Sequence, residues 1–272
     1  MVINRSTQLP TKRKIMMQSL KQLSGHKLVA RDGDLGQVKD FYFDDHTWAV
    51  RYVVVDTGHW LPGRQVLLSP LAFGGLQHDG KFLRVNLTRK QIEDSPSLDS
   101  HKSVSRQYEE QYHRYYGWPY YWEGDGLWGG TRGFPILEVP PNFVLGEGAA
   151  PVTPKIKNAD AHLRGAQAVN GYHLQATDGI VGHVCDFLMD DQSWLIGELV
   201  IKVGHRFTGK EVRIPTGKVT NISYDASKVF VSMVTADVER SAAYDSDSAR
   251  GAGSEPPGKN VFKEAVAEVL AP

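Results

Sequence analysis

The 272-residue chain has a single cysteine, Cys185. One thiol excludes an intramolecular disulfide framework and fits a reducing compartment. Excess charge is also missing, with 31 Lys and Arg against 31 Asp and Glu. A balanced chain lacks the clustered basic surface of a nucleic-acid binder and of a polybasic membrane anchor. No apolar run approaches the ~20 residues of a membrane span, and no apolar signal core follows the basic stretch from Arg5 to Lys14. The expectation is a soluble cytoplasmic protein with no nucleic-acid partner and no membrane span. Peripheral association with a membrane complex stays open. Dinucleotide, P-loop, HExxH, GxSxG and CxxC patterns are absent too, so no catalytic, cofactor or metal-binding residue is assigned.

What is present is a repeat. Gly25 to Ser69 aligns without gaps on Gly171 to Pro215, at a constant offset of 146. Asp32-Gly33 falls on Asp178-Gly179, Gly36 on Gly182, Asp40-Phe41 on Asp186-Phe187, Trp48 on Trp194 and Gly58-His59 on Gly204-His205. A one-residue slip then sets Lys81 and Leu87-Thr88 opposite Lys228 and Val234-Thr235. Two copies are too few for a solenoid, so each is expected to be a domain. The chain divides into a disordered 1–17, repeat one at 18–96, a linker at 97–163, repeat two at 164–244 and a flexible tail at 245–272 with a short amphipathic stretch near its end.

Each copy reads as short strands. In the first these are Lys27–Ala30, Leu35–Phe43, Ala49–Asp56, Gln65–Ser69 and Lys81–Leu87. Asp32-Gly33 marks a tight hairpin, and Thr88 caps a short helix that Ser95-Pro96 stops. Thr235 starts the matching helix. This spacing predicts a mainly β fold of two small antiparallel barrels with short helices. On the central strand, Ala49, Val53 and Val55 match Leu195, Leu199 and Ile201 and read as interior. Arg51 fits that column badly and is placed at a barrel mouth. The opposite column is solvated in copy two, with Glu198 and Lys202. In copy one it is Val50, Tyr52 and Val54, an apolar face that calls for a cover from the linker, the other barrel or a second subunit.

The linker is rich in aromatics. Tyr108, Tyr112, Tyr115 and Tyr116 have helical spacing, ended by Gly117 and Pro119. Trp118, Tyr120, Tyr121 and Trp122 follow. Disordered spacers are poor in such rings. They either pack on the barrels or form, with Val50, Tyr52 and Val54, a docking surface for a protein partner or a second copy.

The remaining candidates have plain readings. Asp44-Asp45 and Asp190-Asp191 sit at predicted turns, where Asp bonds local backbone. Asp40 and Asp186 are expected to bond backbone at the strand pairing. His59 and His205 recur, but one His per repeat falls short of a zinc ligand set. A loop role is expected, with a small-ligand or metal-binding regulator as the alternative. Cys185 has no readable base beside it.

The order D-G-x-x-G-x-V-x-D-F, a polar turn with Trp, V-V-V-D-T-G and R-Q-V-L-L-S-P resembles the PRC-barrel family. That family includes the cytoplasmic domain of the photosynthetic reaction-centre H subunit, the C-terminal domain of a ribosome maturation factor, and stand-alone bacterial proteins. The resemblance implies a non-catalytic, protein-binding barrel of the tandem stand-alone type. A ribosome or RNA-maturation accessory role is a further alternative.

Overall fold

The computed structural model describes residues 16–62, 64–73, 82–99, 104–123, 127–129, 163–204 and 209–245. They form a mainly β protein with two seven-stranded sheets. The chain enters through β1 (Met17–Ser19). The first half supplies β2 (Lys27–Ala30), β3 (Gly33–Asp44), β4 (Val50–Asp56), β5 (Arg64–Leu68), β6 (Phe82–Arg84) and β7 (Leu98–Asp99), in the order β6-β2-β3-β4-β5-β7. The second supplies β8 (Leu163–Gly165), β9 (His173–Gln175), β10 (Ile180–Asp190), β11 (Ile196–Val203), β12 (Lys210–Pro215), β13 (Val219–Ser223) and β14 (Lys228–Val231), in the order β12-β11-β10-β9-β14-β13. Neither hydrogen-bonded path closes on itself among the described residues.

Two expectations need correction. The sheets are not wholly antiparallel, because β2 pairs with β6, and β9 with β14, in parallel. The chain travels far between those strands, which parallel pairing requires. The repeat also has no slip. Lys27 faces Phe82 and His173 faces Lys228, both pairs related by the same offset of 146. Likewise Asp32 accepts from the Arg89 N–H and Asp178 from the Thr235 N–H, each at 2.7 Å. Thr88 caps α2 (Arg89–Glu93) in a capping box with Gln91. Its true counterpart is Val234, and Thr235 is the first residue of α5 (Thr235–Arg240). The matching Leu-Thr and Val-Thr pairs in sequence were out of structural register by one.

The recurring glycine of the motif has a steric cause. A Cβ on Gly36 would lie 2.0 Å from the Asp56 carbonyl oxygen, and one on Gly182 would lie 2.3 Å from that of Lys202. The neighbouring strand passes too close for any side chain. The turns after β3 and β10 are built alike. Asp44 accepts from the His46 and Thr47 N–H groups, Asp190 from those of Gln192 and Ser193. Trp48 and Trp194 close them in the left-handed region, at φ 60° and 59°.

The halves exchange arms. Strand β1, which precedes the first half, pairs with β10 of the second, Met17 facing Asp190 and Ser19 facing Leu188. Strand β8, which precedes the second half, pairs with β3 of the first, Leu163 facing Asp44 and Gly165 facing Tyr42. These pairings are the same contacts read with the halves interchanged. Ala49 bridges Leu195, its own counterpart, and the Val50 and Ile196 N–H groups bond the Trp194 and Trp48 carbonyls. That reciprocity is a pseudo-two-fold axis through Ala49 and Leu195, an isologous contact within one chain. Phe43 packs on Phe187 and Phe73 on Trp194 beside it, and one continuous apolar core runs through both halves.

Candidate functional site

The copies differ most where the aromatic segment lies. In β4 the register shifts between the pairs Tyr42–Tyr52 and Phe43–Val50, leaving Arg51 as the extra residue of a bulge. A bulge breaks side-chain alternation, so Arg51 joins Tyr52 beneath the aromatic segment. It is not at a barrel mouth but buried, donating to the Leu127 carbonyl at 2.6 Å and to the Thr47 hydroxyl at 3.2 Å. Its guanidinium lies 3.6 Å from Asp44 and 3.9 Å from the centre of the Tyr121 ring. Burial lowers its pKa. The matching bulge residue in β11 is Gly197, next to Glu198. Glu198 is buried too, paired with Arg213 at 3.4 Å, whereas Lys202 is half-buried, so the face expected to be solvated in copy two is covered at Glu198.

The cover on copy one is α3 (Arg106–Tyr116), capped by Ser105 and ended by Gly117 at φ 68°. Its buried face is Tyr108, Glu109, Tyr112 and His113. The Tyr112 hydroxyl donates to the Leu67 carbonyl and accepts from the Ser69 N–H, which seals the part of the β5 edge that β7 leaves unpaired. Glu109 has no exposed surface. It accepts from the Tyr52 hydroxyl at 2.8 Å and the Tyr121 hydroxyl at 2.7 Å, and its other oxygen lies 3.1 Å from Arg106. His113 places Nδ1 2.8 Å from the Pro119 carbonyl and Nε2 3.3 Å from the Tyr52 hydroxyl. Burial, with Arg51 and Arg106 nearby, lowers its pKa to about 4, so the ring is neutral and donates from Nδ1. Burial raises the Tyr52 and Tyr121 pKa values, as does the neighbouring Glu109. A cavity of about 170 Å³ opens beside this cluster, between Arg51, Arg106, His46 and Trp122.

The rings anticipated as a docking surface divide into two sets. Val50, Tyr52, Val54, Trp118 and Tyr121 are buried within the chain. Tyr115 is 41% exposed, and Tyr116, Tyr120 and Trp122 are half-buried. Tyr116 stacks on Trp118 at 4.4 Å and Tyr120 on Trp122 at 5.0 Å. Arg106 lies over Trp122 at 4.1 Å. Glu109, His113 and Arg106 escaped the sequence reading. The available signal was a Glu and a His four residues apart on the same helical stripe as Tyr108 and Tyr112.

Asp40 and Asp186 do bond the N–H groups of Phe41 and Phe187, and they also reach the opposite half. Asp186 accepts from the Lys21 N–H and the Ser19 hydroxyl, and Asp40 from the Gln167 N–H. Burial raises both pKa values. His59 is exposed in the loop after β4, and His205 lies outside the described residues. Cys185 donates to the Val200 carbonyl, and burial pushes its pKa up to about 12. Among the described residues, no three His, Cys, Asp or Glu side chains gather as metal ligands, and no helix is long and apolar enough to cross a membrane.

Compared with known proteins, the chain matches no family model and no curated protein.

Proposed function

We propose that the chain is a tandem PRC-type barrel protein that acts as a non-catalytic interaction or assembly scaffold. The observation that carries this reading is the anchored aromatic cap on the first half. Glu109, held by two tyrosine hydroxyls and Arg106, fixes α3 and the residues after it to β4. A plain spacer needs no such buried polar anchor. What the anchor presents outwards is two pairs of rings, Tyr115 with Tyr116 and Tyr120 with Trp122, with Arg106 over Trp122. Tyr, Trp and Arg are the residues that dominate binding energy at protein interfaces. Rings already held in place lose little freedom when a partner covers them.

The test is site-specific photo-crosslinking in the native cell. A photo-reactive phenylalanine at position 115 is expected to give discrete protein adducts, whether to a second copy or to another protein. The same residue at position 234, equally exposed but on the second half, is expected to give none. Absence of adducts from 115, 120 and 122 alike would remove the reading.

A further inference from the structure

We infer that the two halves are receptors for each other's arms, and that they form a self-sufficient pair which holds together without the covalent connection between them. The argument starts from incompleteness. The β10 edge near the Asp190 turn is filled by β1, a strand that belongs in sequence to the other half, and the β3 edge is filled by β8. Each half by itself would leave that edge unpaired, and unpaired edges attract strands.

Each edge also carries a specific acceptor. The arm runs from a three-residue strand straight into a helical turn, α1 (Leu20–Leu23) in the first arm and α4 (Ala166–Val169) in the second. The free N–H groups of such a turn need an acceptor. For α1 it is Asp186, which takes the Lys21 N–H at 3.0 Å and also binds the Ser19 hydroxyl. For α4 it is Asp40, which takes the Gln167 N–H at 3.0 Å. Asp186 is buried and Asp40 half-buried, so a lost acceptor is costly, most of all at Asp186. The acids of the D-F motif are thus the receptor's recognition groups. The arm's first residues add their own contacts. The Met16 N–H donates to Asp191, and Arg164 bonds Asp45 at 2.5 Å. Behind the arms, Leu20, Leu23, Ala166 and Val169 are buried in the common core.

Cohesion is assigned to the arms and the axis at Ala49 and Leu195. The partner that fits each receptor is the other half of this chain, recognised as a short strand followed by a helical turn with an N–H group turned to the receptor's carboxylate.

The experiment inserts a specific protease site within residues 131–162 of the full chain and cuts the folded protein. The cut fragments are expected to co-elute at the mass of the uncut chain at micromolar concentration. Their unfolding midpoint in urea should become dependent on protein concentration, while that of the uncut chain should not. Asp186→Ala and Asp40→Ala, made in the same cuttable chain, are each expected to weaken fragment association by about tenfold or more, with the uncut variants still folded by circular dichroism. Two fragments that separate as independent folded species would overturn the inference. So would precipitation or unfolding on cutting, and so would a stable pair that neither Asp variant weakens, since cohesion would then lie elsewhere.

Discussion

Tyr52 and Glu109 meet through a 2.8 Å hydrogen bond, and neither side chain reaches solvent. The bond joins the central strand of the first half to the helix laid across it. Glu109→Ala removes the acceptor of two tyrosine hydroxyls and the counter-charge of Arg106. A broken buried pair costs about 3–5 kcal/mol. Tyr52→Phe removes one bond to a charged group, worth about 1.5–3 kcal/mol. Urea unfolding of both variants at neutral pH should give that order. A Glu109→Ala variant as stable as the parent would show that the cap is not anchored by this cluster.

His113 predicts an acid-sensitive cap. Its pKa falls from 6.5 in the unfolded chain to about 4 in the folded one. Between those values the unfolded chain holds a proton that the folded chain refuses, which favours unfolding. Stability contributed by His113 is therefore full above pH 6.5 and is lost as pH falls towards 4, by about 3 kcal/mol. His113→Gln should remove that slope. The measurement is unfolding free energy at several pH values for both chains, and parallel curves would refute the assignment.

Gly36→Ala and Gly182→Ala should each cost about 2 kcal/mol or more, because the new methyl would collide with a carbonyl of the paired strand rather than with a movable side chain. Gly25→Ala meets no atom within 4 Å but sits at φ 80°, so it should cost less. Melting temperatures of the three variants rank them.

Trp194 is wholly buried against Phe73 of the other half, whereas Trp48 is half-buried and stacked on Phe43. Trp194→Ala should cost about 3–5 kcal/mol, and Trp48→Ala distinctly less. Equal losses in chemical denaturation would contradict the asymmetry of the axis.

Cys185 should be slow to react with disulfide reagents at pH 8, where a pKa of about 12 leaves almost no thiolate. In urea its reaction should approach that of a free thiol. Rapid labelling of the folded protein would contradict the burial.

The sequence by itself determined the duplication, the mainly β character, the positions of β2 to β6, the helix that ends at Gly117 and the capping by Thr88. Each is written in local chemistry: β-branched runs, a glycine able to take positive φ, and a hydroxyl placed before a helical turn. A motif glycine and a motif acid were also legible as recurrent. Their purpose was not, because it depends on what lies across the sheet. Only tertiary structure decided that Asp186 binds Lys21 and that β1 belongs to the far half, since strand exchange links residues with no local relation in sequence. Only tertiary structure placed Arg51 and Tyr52 on one side, because a bulge breaks the alternation from which a face is read. It also buried Glu109 and His113, whose polarity in sequence argues for solvent until two tyrosine hydroxyls, an arginine and a carbonyl are brought within hydrogen-bonding distance.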